Sequence, residues 1–214
     1  MSRVLLTGFE PFAGATRNPS WEAVRLVAAE APDGLEVTPL QLSCVFDQAI
    51  DELRRAVREV EPELVVCVGQ AHGRPDLTVE RVAININDAR IPDNAGRQPV
   101  DEPVVPGGPA AYFATLPVKA CVAAVREAGL PASLSHTAGT FVCNHVFYAL
   151  MHLLATERPT TRGGFVHVPS LPEQVLDQAT PSLPTASVAH GLRALLATAA
   201  VRRTDLHTLE GTTH

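Results

Sequence analysis

Cys143 lies where a thiol can act as a nucleophile. It follows the small-residue turn Thr137–Thr140 and falls in the first turn of a predicted helix. The free N–H groups and the dipole at a helix start stabilise a thiolate, lower its pKa and can hold an oxyanion. A buried structural cysteine is the alternative, and the local pattern leaves both interpretations open.

A thiol nucleophile needs a base, and a histidine is the usual one. The internal candidates are His72, His136, His145, His152 and His167. His145 and His152 share the predicted helix of Cys143 and project away from it. His167 ends a predicted buried strand, where α/β sheets usually place their reactive groups, and it is therefore the preferred base. For any one of these histidines taken alone, a structural role remains open.

An imidazole base also needs an acceptor that orients it. Glu80 and Asp88 flank an otherwise apolar extended segment. Glu80 is the more informative of the two, because a carboxylate within such a strand needs a partner. A solvated charge at a sheet edge is the alternative interpretation.

Metal and phosphate sites have weaker support in the sequence. Cys143, His145 and His152 could ligate a metal, but the Cys-x-His spacing has no second matching pair. No G-x-G-x-x-G follows a predicted strand, and the single lysine, Lys119, lies in no phosphate-binding motif. We therefore expect neither a metal nor a cofactor.

The composition bounds the class of protein. The 214 residues include 17 basic and 23 acidic side chains, for a net charge of −6, and 46% are hydrophobic. This apolar fraction excludes a disordered chain, and the scattered basic residues argue against nucleic-acid binding. No apolar run is long enough for a membrane span or a signal peptide, and the four cysteines show no C-x-x-C pair. We expect a cytoplasmic protein with reduced thiols.

Short apolar runs alternate with helical patterns along the chain. The predicted strands are Val4–Thr7, Leu35–Ser43, Leu64–Val68, Ser133–His136 and Phe165–Val168. Five helices are predicted. One begins after Asn18, one ends before Glu61, and the others cover about 118–128, Phe141 to about Thr156, and Ala186–Val201. This alternation predicts one three-layer α/β/α domain over residues 1–214, with a mixed, largely parallel twisted sheet and a frayed tail from about residue 202.

Two segments in the middle of the chain have a different character. Thr78–Asn87 alternates apolar and polar residues, which predicts one extended segment. Residues 88–109 are rich in proline and glycine and predict a long irregular region. Loops of this length in a compact domain are often lids or binding loops.

Seven short motifs occur in order between Val4 and about Gln174. They are Gly8–Phe12, Asn18–Ser20, Gly69–Ala71, Glu80–Asn85, Asp93–Pro99, Thr137–His145 and Gly164–Pro169. Together they resemble the pyroglutamyl peptidase type I family of cysteine peptidases. The motif that ends in Cys143-Asn144-His145 is the longest and the most specific.

The resemblance implies a catalytic triad of Cys143, His167 and Glu80. It implies hydrolysis of the amide bond after an N-terminal pyroglutamyl residue through an acyl-enzyme, with no metal or cofactor. It also implies peptides with N-terminal pyroglutamate as the partners, and a homo-oligomer, either a tetramer or a dimer.

The resemblance further implies a substrate pocket. Phe12 and Phe141 are expected to flank the lactam ring, and Gln70 to lie close to the substrate. Arg90 is expected to assist near the thiolate or the oxyanion, and Asn18 to support the loop at the site.

Two positions depart from the family pattern. His72 stands where a glycine is usual, and Ser170 stands where an aromatic residue is common. Both lie near the expected site, so we expect them to change the shape of the pocket rather than the chemistry.

Two other classes of function remain open from the residues alone. One is a thiol amidase that acts on other cyclic or γ-glutamyl compounds, which free-amine glutamyl or glutaminyl substrates would reveal. The other is a non-catalytic ligand-binding domain, which would bind pyroglutamate without turnover and whose Cys143 would react with iodoacetamide no faster than Cys67.

Overall fold

The computed structural model describes residues 1–211, which contain eight strands and five helices. The strands are β1 (Ser2–Phe9), β2 (Leu35–Leu42), β3 (Leu64–Gln70), β4 (Leu77–Glu80), β5 (Val82–Ile84), β6 (Ala111–Phe113), β7 (Ala132–Ser135) and β8 (Arg162–Val168). The helices are α1 (Pro19–Ala29), α2 (Gln48–Val60), α3 (Val118–Glu127), α4 (Val142–Glu157) and α5 (Thr185–Val201), with a 3₁₀ turn at Pro172–Gln174. None of the helices in this part of the chain is long and apolar enough to cross a membrane.

Six of the strands form the central sheet, in the order β2-β1-β3-β8-β4-β7. Every neighbouring pair is parallel except β4 with β8. The apolar runs of β1, β3 and β8 are buried on both faces, as strands in the middle of a covered parallel sheet must be. The prediction of a mixed, largely parallel sheet is confirmed, and the carboxyl ends of β1, β3 and β8 lie together at one edge.

The helices form two layers on the sheet. Val4 and Leu6 of β1 pack in the core beneath α1, α3 and α5, whereas Leu5 packs beneath α2 and α4. Helix α1 lies very close to the sheet at Gly8, where a Cβ atom would be 2.7 Å from the backbone of Trp21. The predicted three-layer α/β/α architecture is confirmed.

The extended segment predicted at Thr78–Asn87 is divided between two sheets. The break falls at Arg81, between β4 and β5, and β5 pairs with β6 in a separate two-stranded sheet. The Arg81 N–H donates to the Ser135 carbonyl at 2.9 Å, and the Arg81 carbonyl accepts from Ala114 N–H at 2.9 Å. The alternating pattern does not reveal this change of partner, because it continues through both halves, although β4 is buried on both faces and β5 on only one.

The region at residues 88–109 is irregular, as predicted, and polar side chains hold it in place. Asp93 accepts hydrogen bonds from the N–H groups of Phe46, Ala95 and Arg97 at 2.8–2.9 Å. The Asn94 side chain donates to the Glu10 carboxylate at 2.8 Å and to the Pro11 carbonyl at 2.9 Å. The region is thereby fixed against the loop that follows β1.

The tail, which the sequence predicts to be frayed, is described up to residue 211. Residues 202–211 form no helix or strand, but they contact α3. The Asp205 carboxylate accepts two hydrogen bonds, at 2.9 and 3.1 Å, from N–H groups in the first turn of α3, which has no side-chain cap of its own. Glu210 forms an ion pair with Arg126 at 2.7 Å. The last tail positions, 212–214, lie outside the described residues.

Candidate active site

A buried carboxylate and a buried imidazole meet where β4 runs beside β8. In this antiparallel pair Glu80 lies opposite Phe165 and Thr78 lies opposite His167, so Glu80 and His167 are diagonal neighbours on one face. His167 Nδ1 donates to Glu80 Oε1 at 2.7 Å. Glu80 is fully buried and His167 is 3% exposed. Because an ionised carboxylate only accepts, this bond places the proton on Nδ1 and leaves Nε2 free to act as a base.

The Cys143 thiol lies against the same face of the sheet. Cys143 is in the first turn of α4, where the helix leaves backbone N–H groups unused. A Cβ atom on Gly69 would be 2.8 Å from Cys143 Sγ, so only glycine leaves room for the thiol there. Gly69 is the partner of His167 in the parallel pairing of β3 with β8. The three predicted catalytic residues, Cys143, His167 and Glu80, are thus close neighbours in the structure.

The prediction that the helix start lowers the pKa of Cys143 is wrong. Burial raises the pKa of this thiol above its ordinary value, and Cys44 and Glu80 add to the rise. The Arg74 guanidinium acts in the opposite direction. Burial also lowers the pKa of His167, although the hydrogen bond that it donates to Glu80 acts in the opposite direction. The free site therefore favours a neutral thiol and a neutral imidazole, because burial disfavours both ionised forms.

A small apolar cavity opens beside Cys143, and we call it the inner pocket. Its volume is about 20 Å³, which is room for about one water molecule. The rings of Phe12 and Phe141 form part of its wall, with centroids 6.3 Å apart. The complete lining is Phe9, Phe12, Asn18, Cys44, Gln70, Phe141, Val142 and Cys143. The predicted aromatic pair therefore borders the nucleophile, and no carboxylate lines this pocket within the described residues.

A larger depression of about 600 Å³ lies outside the inner pocket, and we call it the outer cleft. Phe12 and Gln70 line both cavities and so lie at their junction. Arg90 is exposed and lines the outer cleft, not the inner pocket. Arg17 and Glu173 form an ion pair at 2.6 Å on the cleft wall. A chain that extends from Cys143 through this junction passes Gln70 and then reaches Arg90.

The two positions that depart from the family pattern contact each other. His72 Nδ1 lies 3.1 Å from Ser170 Oγ. Gln70 Nε2 donates to the same hydroxyl at 3.1 Å and to Gln174 Oε1 at 3.2 Å. Because both N–H groups of the Gln70 amide donate to these partners, the side-chain carbonyl oxygen is the part available to a ligand. Ser170 therefore contacts both Gln70 and His72, and His72 also lines the outer cleft.

Asn18 supports the wall of the inner pocket by joining two segments. Its side chain accepts from Ser20 N–H at 3.1 Å and caps α1. Its amide nitrogen donates to the Glu10 carbonyl at 2.9 Å. The loop that carries Phe12 is thereby tied to the start of α1, which agrees with the supporting role expected for Asn18.

The other histidines are used elsewhere. His145 accepts from the Asp47 N–H through Nε2 at 3.0 Å and donates from Nδ1 to Asn87 Oδ1 at 2.9 Å. His152 pairs with the Tyr112 hydroxyl at 3.0 Å. Both nitrogens of His145 are occupied, so it is not free to ligate a metal, and no metal-binding group of residues is found in the part of the chain that the structure describes.

The buried His145 should make the stability of the protein depend on pH. Burial lowers the pKa of this side chain from 6.5 to about 4. The unfolded chain then takes up a proton between pH 6.5 and 4 that the folded protein does not bind. The free energy of unfolding should therefore fall as the pH drops through this window, by about 3 kcal/mol in total. Urea unfolding at pH 7 and at pH 4.5 measures the difference.

His145→Gln should flatten this pH dependence, even though it also lowers stability at pH 7. The matched control is His190→Gln, which replaces an exposed histidine on α5 and should keep the wild-type slope. An equally steep loss of stability in His145→Gln would show that other groups cause it.

Two residues of the site are not marked by the sequence motifs. Cys44 lines the inner pocket, and Arg74 donates to Glu80 Oε1 at 2.6 Å. The signal for Arg74 was available, because a carboxylate inside a buried strand needs a cationic or donor partner and Arg74 lies in the preceding turn. Asp88, the other carboxylate considered, is exposed, and its backbone bonds to Thr140.

The chain is similar to known proteins along its length. The family model described as pyroglutamyl peptidase (Peptidase_C15) matches residues 2–203. The pyrrolidone-carboxylate peptidase of Streptomyces coelicolor is 66% identical over 216 residues, which is 100% of both chains. That of Pectobacterium carotovorum is 53% identical over 215 residues, again 100% of both. Among solved structures, pyroglutamyl peptidase I from Bacillus amyloliquefaciens matches with a TM-score of 0.95 and 48% identity, covering 97% of this chain and 99% of that one.

Proposed function

Because this chain belongs to the pyroglutamyl peptidase family, we propose that Cys143, His167 and Glu80 carry out its hydrolytic reaction. The chain is a cysteine-type hydrolase with pyroglutamyl peptidase activity. The observation that supports the assignment is the buried His167–Glu80 bond of 2.7 Å on the strand beside Gly69, against which the thiol of Cys143 lies.

The inner pocket suits an uncharged lactam ring. A pyroglutamyl residue has no free amine, so its site needs apolar walls and a few directed hydrogen bonds, and no carboxylate to pair with an ammonium group. Phe12 and Phe141 supply the apolar walls. The free carbonyl end of Gln70 can accept from the lactam N–H.

The ring cannot enter the inner pocket as the structure shows it, because about 20 Å³ holds only about one water molecule. The walls must therefore move apart on binding. Phe12 is the wall best placed to move, since it lies on the loop between β1 and α1 and also faces the outer cleft. We expect the aromatic pair to close over the ring once it is bound.

The reaction begins with a proton transfer, because the thiol and the imidazole are both neutral in the free site. His167 Nε2 takes the proton of Cys143 as the sulfur attacks the pyroglutamyl carbonyl, and Glu80 stabilises the imidazolium that forms. The N–H of Cys143 in the first turn of α4 binds the oxyanion. Arg90 is the proposed second donor, reached from the outer cleft.

Collapse of the tetrahedral intermediate releases the rest of the peptide. His167 gives its proton to the leaving amine, and a thioester remains on Cys143. Water, activated by the same imidazole, then hydrolyses the thioester and frees pyroglutamate. The peptide beyond the cleaved bond lies in the outer cleft. Homo-oligomer formation and a cytoplasmic location stay predictions from the sequence.

A panel of three aminomethylcoumarin amides tests the substrate assignment. The pyroglutamyl amide should be hydrolysed with a kcat/KM at least about 100-fold above those of the prolyl and glutaminyl amides. The prolyl compound lacks the lactam carbonyl, and both comparison compounds bring a charged amine into an apolar pocket. Fluorescence release under reducing conditions measures all three.

The rival functions predict different results from this panel. Comparable hydrolysis of the glutaminyl amide would indicate a thiol amidase of another specificity. Pyroglutamate binding by calorimetry, with no turnover of any amide by the folded protein, would indicate a binding domain. Either result would contradict the proposal.

A further inference from the structure

Arg74 joins two parts of the site that are far apart in the sequence. It lies in the turn between β3 and β4, and its side chain is 28% exposed. Its Nη1 donates to Glu80 Oε1 at 2.6 Å, and its Nη2 donates to the Thr137 carbonyl at 2.9 Å. Thr137 begins the turn that leads into α4 and Cys143. One guanidinium therefore links the carboxylate to the segment that precedes the nucleophile.

The Glu80 carboxylate has few hydrogen-bond partners besides Arg74. It is fully buried, and its second oxygen, Oε2, has no hydrogen-bond partner among the described residues. Both hydrogen bonds to the carboxylate, from His167 and from Arg74, go to Oε1. A buried carboxylate without a cation beside it takes up a proton or turns away, because the ionised form is costly to bury. Arg74 is the cation that contacts Glu80.

We propose that Arg74 is a positioning residue for the hydrolysis: it holds the Glu80 carboxylate in place against His167, and ties that pair to the turn that places Cys143. The proposal rests on the function proposed above. Arg74 lines neither the inner pocket nor the outer cleft, so it acts through Glu80 and not on the substrate.

The groups that face Glu80 come from three elements, and their charges fix the direction of the effect. His167 faces it from β8, Arg74 from the turn, and Cys143 from α4; Asp76 and His136 line the surface groove next to Arg74. The charge of Arg74 lowers the pKa of Cys143. It also lowers the pKa of His167, so the pKa values of this thiol and of the imidazole should both rise without Arg74.

Arg74→Met tests the proposal, because methionine keeps much of the side-chain length and removes the charge and the donors. We expect kcat for the pyroglutamyl amide to fall by about 10- to 100-fold, with KM changed by less than about threefold. The acidic limb of the kcat/KM profile should move to higher pH, because His167 must be neutral to act as the base and its pKa rises without the charge of Arg74. Arg74→Lys keeps the charge but cannot reach both acceptors, so it should show a smaller loss in the same direction.

Arg193→Met is the matched control. Arg193 is 25% exposed, donates to the carbonyls of Leu26 and Glu30 and pairs with the Glu30 carboxylate, all away from the site. This variant should keep the wild-type kcat and pH profile even if its melting temperature falls.

Two results would overturn the role of Arg74. The first is a wild-type kcat and pH profile in Arg74→Met, or in Arg74→Gln if Arg74→Met does not fold. The second is a loss of kcat in Arg74→Met with an unmoved acidic limb and no rescue by lysine, which would indicate only a structural role. Failure of the proposed function is distinct from both, because the wild-type protein would then not hydrolyse the pyroglutamyl amide.

Discussion

Replacing Cys143 with alanine should lower the hydrolysis of the pyroglutamyl amide by about 10⁴-fold or more. The Sγ atom is the proposed nucleophile, and neither His167 nor Glu80 can form the acyl-enzyme in its place. Alanine favours a helix and removes only the atom that lies against Gly69. The fold should therefore remain, which circular dichroism and the melting temperature would show while fluorescence release measures the rate.

Cys121→Ala is the matched control for this experiment. Cys121 is a buried free cysteine on α3, on the opposite face of the sheet, and lines neither the inner pocket nor the outer cleft. Its replacement should leave kcat near the wild-type value. Activity retained by Cys143→Ala, or lost equally in both variants, would remove Cys143 from the role of nucleophile.

Most of the central sheet could be predicted from the sequence because its strands are buried on both faces. Runs such as Leu64–Val68 contain only apolar residues and end at a glycine, so few other structures fit them. The split at Arg81 could not be predicted in this way. Both halves of Thr78–Asn87 alternate, and only tertiary contacts decide that β4 joins the main sheet while β5 pairs with β6. The contacts of Asp205 with α3 are also long-range and leave no local pattern.

The active site was predictable where a residue conflicted with its surroundings. Glu80 is a carboxylate in an apolar strand, and the structure supplies the partners that this conflict demanded. The raised pKa of Cys143 was not predictable, because it depends on how tightly the inner pocket closes around the thiol. The contact between His72 and Ser170 was hidden for a similar reason, since the two residues lie on different loops that only the fold brings together.

Replacing Glu80 with glutamine should lower kcat by about 10³-fold or more, although the side chain keeps its shape. The neutral amide cannot stabilise the imidazolium of His167. Its NH₂ group can also donate to Nδ1, which moves the imidazole proton to Nε2 and removes the base. KM should change by less than about threefold, because Glu80 lines neither the inner pocket nor the outer cleft. Steady-state kinetics with the pyroglutamyl amide measure both constants.

Glu52→Gln controls for the removal of a partly buried carboxylate. Glu52 accepts hydrogen bonds from Ser43 on the α2 side of the sheet and should tolerate the change with kcat within about threefold of the wild type. If Glu80→Gln kept a similar kcat, another group would have to orient His167, and Asp88 would be the first to test despite its exposure. A large loss of kcat in Glu80→Gln together with a moderate loss in Arg74→Met would show that the residue in direct contact with His167 matters more than the residue behind it. The carboxylate acts directly on the imidazole, and the guanidinium acts largely through the carboxylate. In the Glu80→Gln background, Arg74→Met should therefore cost a smaller factor in kcat than it does in the wild type.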